Sequence, residues 1–217
     1  MGALRYAGSL VAAATLAFGL HPTGAAQVPK DAHAKTPTEL ALQIADYAAL
    51  PMTGTPDGLG NNAGALARVN FLREEPAPAH RFFVNDLNGP LYILDRNTKK
   101  FTTYLDFDGR GNRPGLFDKL TVENGLASGF VSFEFDPDYA RNGKFYTIHI
   151  EDPAEPGSLV PDHTSVPGLV VAGYTPTPPA ATPGDVDHEG VLIEWTDSNI
   201  ANTTFEGTAR ELLRVPF

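Results

Sequence analysis

From Arg81 onward, apolar and polar residues follow patterns that strands produce, with stretches of period two bounded by turn-forming clusters. The segment Arg81–Leu87 (RFFVNDL) runs into Asn88-Gly89. Asn and Gly tolerate positive φ at least cost, so the pair predicts a tight hairpin in which both adopt it. Leu91–Asp95 (LYILD) is the return strand. It is apolar at both parities, which predicts burial on both faces. DRNTKK predicts the next turn and Phe101–Phe107 (FTTYLDF) a third strand, completing an antiparallel meander. A short strand at Arg68–Leu72 precedes it.

A second unit follows the glycine-rich break DGRGNRPG. In Phe130–Phe135, alternation places Val131, Phe133 and Phe135 on one face and Ser132 and Glu134 on the other. Asp136-Pro137-Asp138 and Asn142-Gly143 predict a turn, and Lys144–Ile150 (KFYTIHI) returns. The two Asn-Gly pairs lie 54 positions apart (142 minus 88), on the order of one propeller blade. Residues 152–189 carry eight prolines, which bars a central strand or helix interior and predicts a long surface excursion. Strands resume at Val191–Thr196 and Glu211–Val215.

The N-terminal region reads differently. Arg5, the apolar run Leu10–Leu20 and small residues at Gly24, Ala25 and Ala26 predict a signal peptide over residues 1–26, and hence a periplasmic or secreted protein. Thr36 as N-cap, Pro37 at the first helical position and Glu39 three residues after the cap predict a helix over about 37–50, ended by Pro51. It belongs to an extension, residues 27–65, whose 51–64 stretch is a loop. The expected fold is therefore all-β, with one N-terminal helix.

Composition removes several function classes. The net charge of -10 leaves no basic surface for nucleic acid. The absence of cysteine excludes disulfides, thiolate nucleophiles and zinc–cysteine sites. No further stretch is long and apolar enough to span a membrane. There is no phosphate-binding Gly loop, GxSxG elbow or HExxH.

FVNDLNGPLYILDRNTKKFTTYLDF resembles the first blade of the glucose/sorbosone dehydrogenase family, the soluble PQQ-dependent aldose dehydrogenases. NGLASGFVSFEFDPDYARNGKFY is similar to that family's early motif, in which a Gly-Leu-rich strand precedes a Pro-Asp-aromatic turn, Asn-Gly and an aromatic strand. Here the turn is Asp136-Pro137-Asp138-Tyr139, with Asp136 where the family more often has His. EGVLIEWTD and GTARELLRVPF resemble the stretch that closes the next blade. The likeness spans about residues 66–151 and 190–217.

The resemblance implies that residues 66–217 form about two blades of a six-bladed β-propeller, as antiparallel meanders interrupted by the proline-rich insertion 152–189. It implies oxidation of an aldose sugar by hydride transfer to PQQ, often with calcium. The cofactor supplies the redox chemistry, and a family His acts as general base. By the same resemblance that His lies beyond the last strand of this chain, so no catalytic residue is assigned here and this stretch alone is expected to be inactive. A substrate-side Gln of the family has its nearest counterpart at Glu123, or at Ala127 when the Pro-Asp turn anchors the comparison. Neither cofactor contacts nor metal ligands are assignable, and the sugar and electron acceptor stay open. A non-catalytic propeller scaffold and a complete small β-sandwich are the competing expectations.

Other constellations read as structural. His149 lies in a strand, without the sequence partners a general base needs. Asp185, Asp187, His188 and Glu189 read as a solvated acidic loop, and metal binding is the lesser alternative. Asp106 and Asp108 before Gly109 fail the EF-hand pattern because Arg110 and the spacing break it. Trp195 and the strand aromatics read as core.

Overall fold

The structure, a computed structural model, describes residues 43–53, 67–76, 80–109, 114–122, 128–179 and 188–217. The expected signal peptide, the Thr36 cap and residues 37–42 of the expected helix, and Glu123 with its Ala127 alternative lie outside the described residues, as do Arg110, Asp185 and Asp187. The chain forms two compact units, Met1–Tyr47 and Ala48–Phe217. In the first, residues 43–47 have no regular secondary structure. Residues 48–50 have none either, so the helix expected over 37–50 is not formed where the chain is described. Ile44 is 82% exposed, and an isolated helix this short has little stability of its own without an apolar face to bury.

The second unit is all-β. Strands β1 (Val69–Glu74), β2 (Phe82–Asp86), β3 (Pro90–Leu94) and β4 (Phe101–Asp106) form one antiparallel sheet in sequential order. Strands β5 (Phe130–Phe135), β6 (Lys144–Glu151), β8 (Glu189–Asp197) and β9 (Glu206–Pro216) form a second, antiparallel in the same sequential manner. A short strand, β7 (Gly168–Val170), joins its outer edge parallel to β9. One helical turn, α1 (Tyr139–Asn142), links β5 to β6. No closed sheet is formed among the described residues.

Local chemistry explains where the chain departs from expectation. At Asn88-Gly89 only Gly89 has positive φ (120°), and its N–H bonds the Asp86 carbonyl at 3.0 Å. The connection therefore has three residues, with glycine in the last position. Pro90 pairs with Asp106, and a side chain at Gly89 would meet Asp108 at 2.7 Å. Asn142-Gly143 is a helix end rather than a hairpin turn. Gly143 (φ 64°) donates to the Tyr139 carbonyl in the left-handed conformation that closes a helix. A bulge between Phe130 and Ser132 breaks the expected alternation. It turns Phe130, Phe133 and Phe135 inward and leaves Val131 half-buried.

β3 is buried along its whole length, as its double-sided apolar pattern requires. The two sheets share one core built on aromatic rings. Phe107 stacks on Phe130 at 4.2 Å and Phe83 meets Phe135 edge-on at 5.1 Å. Trp195 is fully buried, with its indole N–H donating to the Thr147 hydroxyl at 2.8 Å. The proline-rich stretch is not purely superficial. Its described part carries β7 and buries Val166, Leu169 and Tyr174 in or against the core. Prolines do not prevent this, because β7 sits at a sheet edge.

The sheets approach most closely through β1, β2 and β5. There Asn85 Nδ2 donates to the Phe130 carbonyl (2.7 Å), and the Phe130 N–H donates to the Leu87 carbonyl (2.9 Å). Residues 114–122 tie the ends of both sheets together. Leu116 N–H bonds Asp106 O on one side, and Thr121 N–H bonds Ile150 O on the other, each at 3.0 Å.

Two glycines with positive φ separate conformational cost from crowding. A Cβ at Gly143 would lie 1.9 Å from the Asp197 carbonyl oxygen, whereas one at Gly173 (φ 89°) would meet nothing within 4 Å. Gly173→Ala should cost about 1–2 kcal/mol for the left-handed conformation alone. Gly143→Ala should cost clearly more, because backbone must move as well. Urea denaturation of the two variants checks the order.

Candidate functional site

Among the described residues, chemistry-bearing side chains converge in three places. The first follows from strand register. Glu151 pairs with Glu189 across β6 and β8, His149 with Val191, and Val191 with Arg214 on β9. Period-two alternation therefore points His149, Glu151, Glu189 and Arg214 to the inner face of the second sheet. The Arg214 guanidinium donates from Nη1 to Glu151 (2.7 Å) and Glu189 (2.8 Å), and from Nη2 to Glu211 (3.2 Å). His149 Nε2 lies 3.0 Å from Glu151 Oε1. The Phe117 ring, 4.1 Å from the imidazole, covers it.

Three carboxylates thus share one guanidinium, with all four side chains at most 2% exposed. Burial alone would lower the basicity of Arg214, but its hydrogen bonds and the Glu151 charge outweigh that and raise it. Burial alone would raise the Glu151 carboxyl, but His149 and Arg214 hold it below its ordinary value. Burial, then the Glu211 and Glu151 charges, push the Tyr174 phenol up. Among the described residues, His149 Nδ1 and Arg214 Nε have no hydrogen-bond partner.

His149 thus has a carboxylate partner in Glu151, two residues on and on the same strand face, a signal that period-two alternation carries and the sequence reading passed over. It is also 0% exposed, so the pair cannot reach a substrate in this arrangement. The Glu189 side chain is buried and ion-paired, contrary to the solvated loop expected there, while His188 stacks on Phe217. Sequence position conceals much of this cluster because its members are 22–65 residues apart except for the pairs His149/Glu151 and Glu211/Arg214.

The second convergence bolts the sheets together at β4 and β8. Tyr104 OH on β4 donates to Asp197 on β8. Arg81 forms a two-pronged pair with Glu75 (2.9 and 2.5 Å) and reaches the Ile200 and Asn202 carbonyls. Tyr139 OH donates to Glu75 at 3.3 Å. Burial first, then Asp197, pushes the Tyr104 phenol up. The Tyr104 and Tyr139 hydroxyls, the Arg81 guanidinium and the Glu75 carboxylate are all partnered, which marks a structural network.

The third is a cleft of about 510 Å³ between β4 and the β7–β9 margin. Tyr104, Val166 and Phe205 form its buried floor. Thr103, Asp106, Ser165, Thr204 and Glu206 supply polar groups to its walls. Asp106 Oδ1 accepts from the Gly109 N–H at 3.0 Å, which explains the acidic-glycine sequence around Asp106 as a turn.

Among the described residues, no group of three or more acidic or histidine side chains could hold a metal ion. No helix there is long and apolar enough to cross a membrane.

The buried cluster sets acid sensitivity. A carboxyl depressed in the folded state stabilises the fold fully above its unfolded pKa, near 4.5 for Glu151, and loses that contribution as pH falls through the lower folded value. Urea midpoints measured from pH 7 to pH 3 should therefore drop on the acid side, with a shallower drop in Glu151→Gln. Arg214→Leu strands three carboxylates and should cost on the order of 3–5 kcal/mol at neutral pH. A loss below about 1 kcal/mol would show that the carboxylates do not depend on the guanidinium. No family model matches the chain, and no curated protein matches it.

Proposed function

We propose that Ala48–Phe217 contributes the first two sheets of a six-bladed β-propeller of the glucose/sorbosone dehydrogenase type, a quinoprotein that oxidises an aldose by hydride transfer to PQQ. The supporting observation is topological. Each sheet is laid down as a sequential meander before the next begins, and the sheets lean together through β1, β2 and β5. Propellers repeat such sheets radially, whereas sandwiches more often pass the chain between layers. The residues quoted for the resemblance occupy β2–β6, β8 and β9.

The described residues do not themselves fit the cofactor or the metal. A calcium ion needs six to eight converging oxygens, and no acidic group of the required kind occurs among them. PQQ carries carboxylates that call for cations. Arg81 and Arg214, the buried guanidiniums, are already taken up by glutamates. On this reading the described residues are scaffold, and no catalytic step runs through them. Signal-directed export to the periplasm or medium belongs to the same proposal.

A second reading, a self-contained two-layer β unit without redox role, draws on the closed core between the sheets. The outer face of the second sheet argues the other way. Ile148, Leu213 and Val215 lie there, 39–52% exposed, on strands that a further sheet would cover.

Chimeras separate the two. Joined to the four later blades of a soluble PQQ aldose dehydrogenase, in place of that enzyme's first two, residues 48–217 should support PQQ-dependent dye reduction with an aldose. The chain alone, given PQQ and calcium, should not. Aldose oxidation by the chain alone, or a chimera that melts cooperatively but takes up no PQQ, would sink the proposal.

A further inference from the structure

The proline-rich stretch carries chemistry that neither the core nor the propeller reading absorbs. Within it, Thr175-Pro176-Thr177-Pro178-Pro179 follows Tyr174. Each threonine precedes a proline, which biases it away from helix and toward extended backbone. Residues 174–179 accordingly have no regular secondary structure, and Thr175, Thr177 and Pro178 are exposed. Two anchors hold this run in one place. Just before it, Tyr174 is buried and Val171 packs against the core. Further along, the Thr177 N–H donates at 3.0 Å to Oε1 of Glu211, a member of the buried Arg214 cluster.

The anchors leave the hydroxyls available. Thr177 is fixed through its backbone, so its hydroxyl takes no part in the bond to Glu211. The Thr175 hydroxyl donates to the Gly173 carbonyl at 3.4 Å, longer than the usual range of roughly 2.5–3.0 Å for such a bond. Other exposed threonines are placed differently. Thr102, Thr103 and Thr208 lie in paired strands. Thr98, Thr164 and Thr204 lie in turns whose N–H bonds an Asp or Asn side chain. None of these six precedes a proline. An enzyme that acts on a side chain must seat the backbone around it, and a proline-fixed backbone loses little freedom in being seated. Thr182-Pro183 repeats the pair in the sequence and lies outside the described residues.

We propose that Thr175 and Thr177 carry O-linked sugar. The threonine oxygen attacks the anomeric carbon of a glycosyl phosphate donor. The bond from that carbon to the phosphate oxygen breaks, and the hydroxyl proton passes to a base of the transferase. Thr175 gives up only its long bond to Gly173, an exposed residue whose carbonyl water can then serve. The assignment rests on the export proposed above, since stalks of threonine and proline that bear such sugars are extracellular.

Intact mass and peptide fragmentation of the full chain, recovered from its own source cells, test this, with the N-terminal residue read in parallel. The processed chain should be heavier than its sequence by whole sugar units, with fragmentation placing sugar on Thr175 and Thr177. Thr175→Val with Thr177→Val should remove that sugar, while Thr175→Ser with Thr177→Ser should keep it. Pro176→Ala with Pro178→Ala leaves both hydroxyls but frees the backbone, and should lower occupancy severalfold. A processed chain with neither threonine modified, or with phosphate there in place of sugar, would overturn this assignment alone. A chain kept inside the cell, unprocessed and bare, would overturn export and this assignment with it. None of these outcomes depends on PQQ or on aldose oxidation.

Discussion

The fold rests on ring-to-ring contact between two sheets. Phe83, Tyr104 and Phe107 from the first-sheet side meet Phe130, Phe135, Phe145 and Trp195 from the second, with centroids 4.2–6.0 Å apart in the contacts Phe107–Phe130, Phe83–Phe135, Tyr104–Phe145 and Phe107–Trp195. Each such pair contributes about 0.5–1.5 kcal/mol beyond area burial, and each large side chain buried contributes about 1.5–3 kcal/mol. The bulge at Phe130 and the short helix after β5 matter because they aim rings into this layer.

Polar chemistry is arranged around that layer. Tyr104–Asp197 and Arg81–Glu75 tie one region of it with partnered buried groups. The Arg214 cluster lies at the β6–β8–β9 end, beneath Phe117. These networks differ in charge balance. The Arg81–Glu75 pair is neutral, whereas Arg214 faces three glutamates. A buried pair of equal charges can be replaced by apolar residues at little cost, but an excess of carboxylates depends on its one cation. Residues 114–122 therefore do more than connect strands, since Phe117 keeps water from the most charge-laden part of the interior.

The strands were legible in linear order because alternation and turn residues act locally. Phe130–Phe135 falls on β5 as read, and Lys144–Ile150 matches β6 to within one residue. β9 begins at Glu206, five residues before the strand read at Glu211–Val215, because pairing with β8 extends it through weak β-formers. β7 escaped notice because three residues between prolines carry no periodicity. The candidate sites were nearly illegible. Glu206 and Asp106 are 100 positions apart, and nothing local marks either as the wall of a cleft.

The amino-acid order alone determined an all-β chain, acidic and without cysteine, with turns at its Gly, Asn and Pro clusters, because backbone preference and side-chain parity are properties of neighbours along the chain. Tertiary structure alone decided that Gly143 ends a helix, that Phe117 covers His149, and that Arg214 answers three glutamates. Register across strands brings residues 25 to 63 positions from Arg214 within hydrogen-bond distance of it, and register is fixed by which faces can be buried together.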